Sequence, residues 1–182
     1  WNRRPKESPK HSFRVVFRSR YGLPSLKNAL FPGQEGSLDQ FILRAGNNHS
    51  WLHWDGKERR SADYLRDPWM RATYSVMGHS ASRSRPVHLH LNGLYWGIYD
   101  FGERIDASFA ANYLGGERAE YDAIASKPVK AIDGDTAAYN AMRSAVLQNQ
   151  SVLANYEAVL QKLDVPNFID YMLLNFYGAN QD

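Results

Sequence analysis

Hydrophobic and polar positions alternate most clearly in the first hundred residues. Phe13-Arg-Val-Val-Phe-Arg18 sets β-branched and aromatic residues among basic ones and predicts a strand over 13–18. Phe41-Ile-Leu-Arg-Ala45 predicts a second, stopped by Gly46-Asn-Asn. The polar stretch 47–61 holds Trp51 and Trp54, so it is expected to pack back on the body. Leu65, Trp69, Ala72 and Val76 approach helical spacing and predict a helix over 62–77, with Asp63 as cap and Pro68 in the first turn. Asn92-Gly93 is a type I′ turn pair and predicts a hairpin over 87–101. A regular two-residue hairpin then places Leu91 opposite Leu94, Leu89 opposite Trp96 and Val87 opposite Ile98, giving one apolar face. The other face pairs His90 with Tyr95 and His88 with Gly97, where the missing side chain leaves a space for close approach.

Beyond residue 104 the pattern turns helical. Helices are predicted over 106–114 (closed by Gly115-Gly116), 136–148, 151–163 and 166–178. The last has Asp164 as cap and Pro166 in its first turn. Its apolar stripe is Phe168, Ile169, Met172, Leu173, Phe176 and Tyr177. Strands with one helix followed by helices make an α+β chain, a sheet lobe leading into a helical lobe.

Composition narrows the chemistry. The 182 residues contain no Cys, which excludes disulfides, thiolate zinc sites, iron–sulfur clusters and thiol nucleophiles. No apolar run is long enough for a membrane span. There is no Gly-x-Ser-x-Gly elbow and no Walker loop. The net charge of +3 is uneven: residues 1–20 carry seven basic groups and Glu7, and the remainder is net negative. Such an arm suits either nucleic acid or plain solvation. His88 and His90, two apart on a strand, are a possible metal pair or ordinary strand histidines. Glu103 ends the hairpin's second strand, where it either contacts a ligand in a cleft or pairs with Arg104 or Arg66. Asp182 follows the last helix, a place for a catalytic carboxylate or an exposed terminal Asp.

Several segments in order resemble one family. Ser8-Pro-Lys-His-Ser-Phe-Arg-Val-Val-Phe17, Phe41-Ile-Leu-Arg-Ala-Gly-Asn47 and Tyr64-Leu-Arg-Asp-Pro68 resemble successive segments of the spore-coat protein H (CotH) kinase-like family. Val87-His-Leu-His-Leu-Asn-Gly-Leu-Tyr-Trp-Gly-Ile-Tyr99, then Gly102-Glu-Arg-Ile-Asp106, is similar to its most specific signature. Tyr121-Asp-Ala-Ile124, Asp133-Gly-Asp135 and Asn167-Phe-Ile-Asp-Tyr-Met-Leu-Leu-Asn-Phe-Tyr177 continue it. The resemblance implies an atypical protein-kinase-like fold: an antiparallel-sheet N-lobe with an inserted helix (1–103), then a partial helical C-lobe (104–182). It implies ATP-dependent phosphorylation of coat or envelope proteins on Ser/Thr, with ATP and Mg²⁺ as cofactors. It also implies an extracytoplasmic, secreted, spore-coat or envelope location. A non-catalytic envelope binding module on the same fold is the alternative.

By the same resemblance, Glu103 and Arg104 fall near the hinge beside the nucleotide base. Lys10, Arg14 and Arg44 would contact phosphates, because phosphoryl transfer needs cations against the transferring group. Asn180-Gln-Asp182 matches the family's Asn-x-Asp element, with Asp182 as the catalytic carboxylate that orients the substrate hydroxyl. His11 stands where a second Lys is frequent. Family members continue beyond this Asp to a second metal-binding Asp, so the chain reads as a fragment that does not itself transfer phosphate and whose last helix exposes apolar surface.

Overall fold

The computed structural model describes residues 10–27, 30–31, 37–47, 50–51, 53 and 55–180. Asp182, Trp54, His49 and the first nine residues of the basic arm lie outside the described residues. The chain divides into two compact units, one drawn from Trp1–Ala72 and Ala81–Arg104, the other from Thr73–Ser80 and Ile105–Asp182. The architecture is mixed α+β, with an antiparallel sheet and six α-helices among the described residues.

The first unit is built on a four-stranded sheet of β1 (Phe13–Val16), β2 (Gln40–Arg44), β3 (Ser84–Leu91) and β4 (Leu94–Glu103), in the order β1-β2-β4-β3. Phe13, Leu43 and Phe101 align across three strands. With Phe31, Leu38, Ala45 and Tyr99 they mark the core, a cluster of aromatic rings whose burial stabilises the unit. Phe31 stacks on Phe101 with centroids 5.3 Å apart. The opposite face carries Arg14, Ile42, Gly102 and Ser84 in one row, then Arg44, Asp100 and Pro86 in the next. Between β2 and β3 lie a short α1 (Gly56–Arg60), capped by Asp55, and α2 (Arg66–Val76).

The hairpin turn is as expected, with Asn92 and Gly93 both at positive φ (51° and 81°). Its register is not. His90 faces Tyr95, but Leu89 faces Gly97, His88 faces Ile98 and Val87 faces Tyr99. A β-bulge makes Trp96 an extra residue, and Gly97 takes φ 98°, a value open to glycine. Trp96 and Tyr99, three residues apart, therefore both meet the ring of Phe13, which a regular strand forbids. Past the bulge the faces are exchanged: Tyr99 and Phe101 are buried, while Ile98 is half exposed. The wholly apolar hairpin face expected from a regular pairing does not form.

Helix α2 also departs from expectation. It begins at Arg66, after an Asp63 side chain that accepts from Leu65 N and Arg66 N. Leu65, Trp69 and Val76 are exposed, and the half-buried side is Asp67, Met70, Arg71 and Tyr74. The helix is tethered through charged side chains because the sheet face of Arg44 and Asp100 offers it ions. Trp51, expected to pack inward, is two-thirds exposed and meets the Tyr64 ring at 5.3 Å.

In the second unit α3 (Ala107–Leu114) is capped by Asp106, whose buried carboxylate accepts from Phe109 N. Then come α4 (Ala137–Val146), α5 (Leu153–Leu160) and α6 (Val165–Tyr177), close to the expected spans. Asp164 caps α6 by accepting from Asn167 N, and a proline occupies its first turn. Phe168, Ile169, Leu173, Phe176 and Tyr177 are exposed, whereas Leu174 is buried. The sequence pattern missed a hairpin, β5 (Ala123–Ser126) and β6 (Val129–Asp133). No helix of the described residues is long and apolar enough to cross a membrane.

Candidate functional site

The sheet's polar face gathers several charged groups of the first unit. Arg44, at the end of β2, pairs with Asp67 in the first turn of α2 at 2.5 Å. One helical turn on, Arg71 pairs with Asp100 of β4 at 2.6 Å. Both ion pairs join the helix to the sheet. Arg14 shares this face and donates its Nε to Gln40 Oε1 at 2.6 Å. The face therefore presents two of the expected cations, Arg14 and Arg44, in neighbouring rows. Asp67, Arg71 and Asp100 were not singled out from the sequence. Their only advance signal is the i, i+4 acid–base spacing of Asp67 and Arg71.

Lys10 lies elsewhere. Its ammonium donates to the Ile98 carbonyl and sits over the Tyr99 ring, 4.4 Å from the centroid. Tyr99 in turn donates to the His11 carbonyl at 3.0 Å. The space left by Gly97 is filled by this lysine: a Cβ there would meet Lys10 Cε at 3.8 Å. Burial holds the Lys10 pKa below its ordinary 10.5. The unfolded chain then binds more protons at this residue between the folded value and 10.5, so stability rises with pH through that window. The expected result is that Lys10→Met removes this rise, read by urea unfolding at a series of pH values up to about 10.5. Identical pH profiles for the two proteins would contradict it.

Glu103 is the last residue of β4. The bulge turns it to the core side, where it is buried and accepts from Arg83 N at 2.7 Å. Its own N–H donates to the Arg83 carbonyl, so it closes the end of the β3–β4 ladder. Arg104 follows, with a buried Nε that has no hydrogen-bond partner among the described residues. Asp182 lies outside the described residues. His88 Nδ1 is 2.8 Å from the Tyr95 hydroxyl, and both His88 and His90 lie against the Tyr95 ring. Among the described residues no group of three or more His, Asp or Glu is arranged to hold a metal.

The second unit contains a polar chain that sequence reading also missed. Tyr74 donates to Asn167 Oδ1 at 2.7 Å, Asn167 Nδ2 faces His79 Nδ1 at 3.0 Å, and His79 Nε2 lies 2.7 Å from Asp170. Burial raises the Tyr74 pKa, against the pull of the Asn167 hydrogen bond. This chain anchors residues 73–80 to α6.

A sequence profile described as CotH kinase protein matches residues 5–182. The chain belongs to the CotH kinase family. No curated protein and no solved structure matched it. The CotH profile covers nearly every residue, including β2, α2 and the hairpin that carry the charged face.

Proposed function

We propose that this CotH kinase-like chain belongs to an ATP-dependent Ser/Thr protein kinase of kinase-like fold, acting on coat or envelope proteins outside the cytoplasm. The observation that carries the reading is the Arg44–Asp67 pair. A strand cation held by a carboxylate of the following helix is the arrangement by which protein kinases place a lysine on the nucleotide phosphates. Arg44 is the counterpart cation here, a planar fork suited to bidentate phosphate binding. It is nearly half exposed, so its outer donors are accessible to an anion. Arg14 adds positive charge on the same face.

Nucleotide and metal fit this face unequally. Its guanidinium groups suit phosphates, whereas the described residues offer no metal cage. Mg²⁺ at phosphoryl-transfer sites takes one or two carboxylates with phosphates and water. Asp182 is the proposed carboxylate, and its role would be to orient the substrate hydroxyl. When bound, Mg²⁺ would neutralise phosphate charge.

Calorimetric titration with Mg-ATP tests the reading. Arg44→Ala is expected to weaken binding about tenfold or more, the worth of one charge-assisted contact. Arg44→Lys should retain part of it. Lack of binding by the unaltered protein, or equal affinity in Arg44→Ala, would overturn the proposal.

A further inference from the structure

Four side chains of the first unit form a closed ring of alternating charge. Arg44 and Asp100 are direct cross-strand partners on β2 and β4. Asp67 and Arg71 are i, i+4 neighbours on α2. The ring is closed by the two ion pairs, Arg44–Asp67 and Arg71–Asp100. Four charges so placed have a second neutral pairing, Arg71 with Asp67 along the helix and Arg44 with Asp100 across the sheet.

The two observed pairs are unequal. The side chains of Arg44 and Asp67 are 47% and 36% exposed, those of Arg71 and Asp100 only 20% and 18%. Water competes for the first pair and much less for the second. Arg71 is held at further points: Nε donates to the Asp67 carbonyl at 3.2 Å and Nη1 to the Ser82 hydroxyl at 3.3 Å. Gly102 makes room for it, since a Cβ there would come within 3.5 Å of Nη1 and 3.3 Å of Ser84 Cβ. Asp100 has one buried oxygen, Oδ1, with no hydrogen-bond partner among the described residues. That acceptor belongs to the residue directly opposite Arg44.

We propose that Arg71 and Asp100 are positioning residues for Arg44, acting by occupying each other so that Asp67 is left to hold Arg44. The proposal rests on the reading of Arg44 as the phosphate-binding cation. If Asp100 loses its charge, Arg71 keeps a shielded positive charge without a counter-ion. Asp67, one turn back on its own helix, is a carboxylate within its reach. Arg71 captures it, and Arg44 loses its tether. In the intact ring, an anion arriving at Arg44 leaves α2 fixed through the inner pair, and the free Asp100 oxygen offers Arg44 a second carboxylate on the sheet.

Nuclear magnetic resonance of the arginine Nε–Hε groups tests this in the full chain without nucleotide. The Arg44 signal is assigned by Arg44→Lys. Asp100→Asn is expected to move that signal away from its position in the unaltered protein, although Arg44 and Asp67 are themselves unchanged, and Asp100→Glu to restore it. Arg71→Lys, which keeps the charge but loses the fork, should give a partial shift and covers the case in which Asp100→Asn does not fold. Mg-ATP affinity should fall about three- to tenfold in Asp100→Asn. An Arg44 signal unmoved by Asp100→Asn and Arg71→Lys, yet moved by Asp67→Asn, would overturn the proposal. If the unaltered protein does not bind Mg-ATP, the phosphate reading fails, and the Arg44 spectrum still decides the pairing.

Discussion

Tyr99→Ala is expected to lower the stability of the first unit by about 4 kcal/mol, the largest loss from any single truncation here. Tyr99 is the most deeply buried large side chain among the described residues, 1% exposed. Its ring lies 5.9 Å from that of Phe13 and carries the Lys10 ammonium on its face. Its hydroxyl donates to the His11 carbonyl and so pins the chain entering β1. Truncation opens a cavity, strips a cation of the nearer of its two aromatic partners and leaves that carbonyl without its donor. Tyr99→Phe removes only the hydroxyl and should cost about 1 kcal/mol. Urea unfolding followed by tryptophan fluorescence measures both. A loss below about 1 kcal/mol for the alanine variant would show that the ring is dispensable.

Gly97→Val is expected to cost about 2 kcal/mol or more, for a reason unrelated to crowding. The position has ordinary room, since a Cβ would stand 3.8 Å from Lys10 Cε. The cost comes from φ 98°, which a β-branched residue resists. Relief would require the bulge to vanish, and that would exchange the faces of β4 from Ile98 onward. Glu103 would leave the interior and Tyr99 would turn outward, so the strain is expected to persist. Urea unfolding gives the loss, and cross-strand amide contacts between β3 and β4 report the register. An unchanged midpoint, or a regular Leu89–Trp96 pairing in the variant, would sink this account.

Local patterns in the sequence were read accurately where one short segment specifies its own geometry. Asn92-Gly93 demands positive φ twice and makes the turn. Asp164 caps α6 because a short carboxylate before a helix reaches the free N–H groups of its first turn. The ordered CotH-like segments led to the family for the same reason, since each is contiguous. The cations Lys10, Arg14 and Arg44 were also legible as residue types, and Arg14 and Arg44 do share a face. Their partners were not legible. Asp67 and Arg71 come from a helix, Asp100 from a strand 29 residues beyond Arg71, and ion pairs of that separation leave no periodic trace.

The missed features have a common origin in pairing and burial. A glycine inside a strand was read as empty space, although it also permits a bulge, and that bulge decided which side of β4 is buried. The apolar spacing on α2 marks a helix but not its inner side, because the sheet facing it displays Arg44 and Asp100 and so draws in Asp67 and Arg71 instead. From residues alone one could state most of the elements, the Asn92-Gly93 turn, the Asp164 cap, the α+β class and the family. The strand register, the burial of Glu103 and the four-charge ring depend on which distant segments meet, because hydrogen-bond pairing across strands and the desolvation of charge are properties of neighbours rather than of the residues that carry them.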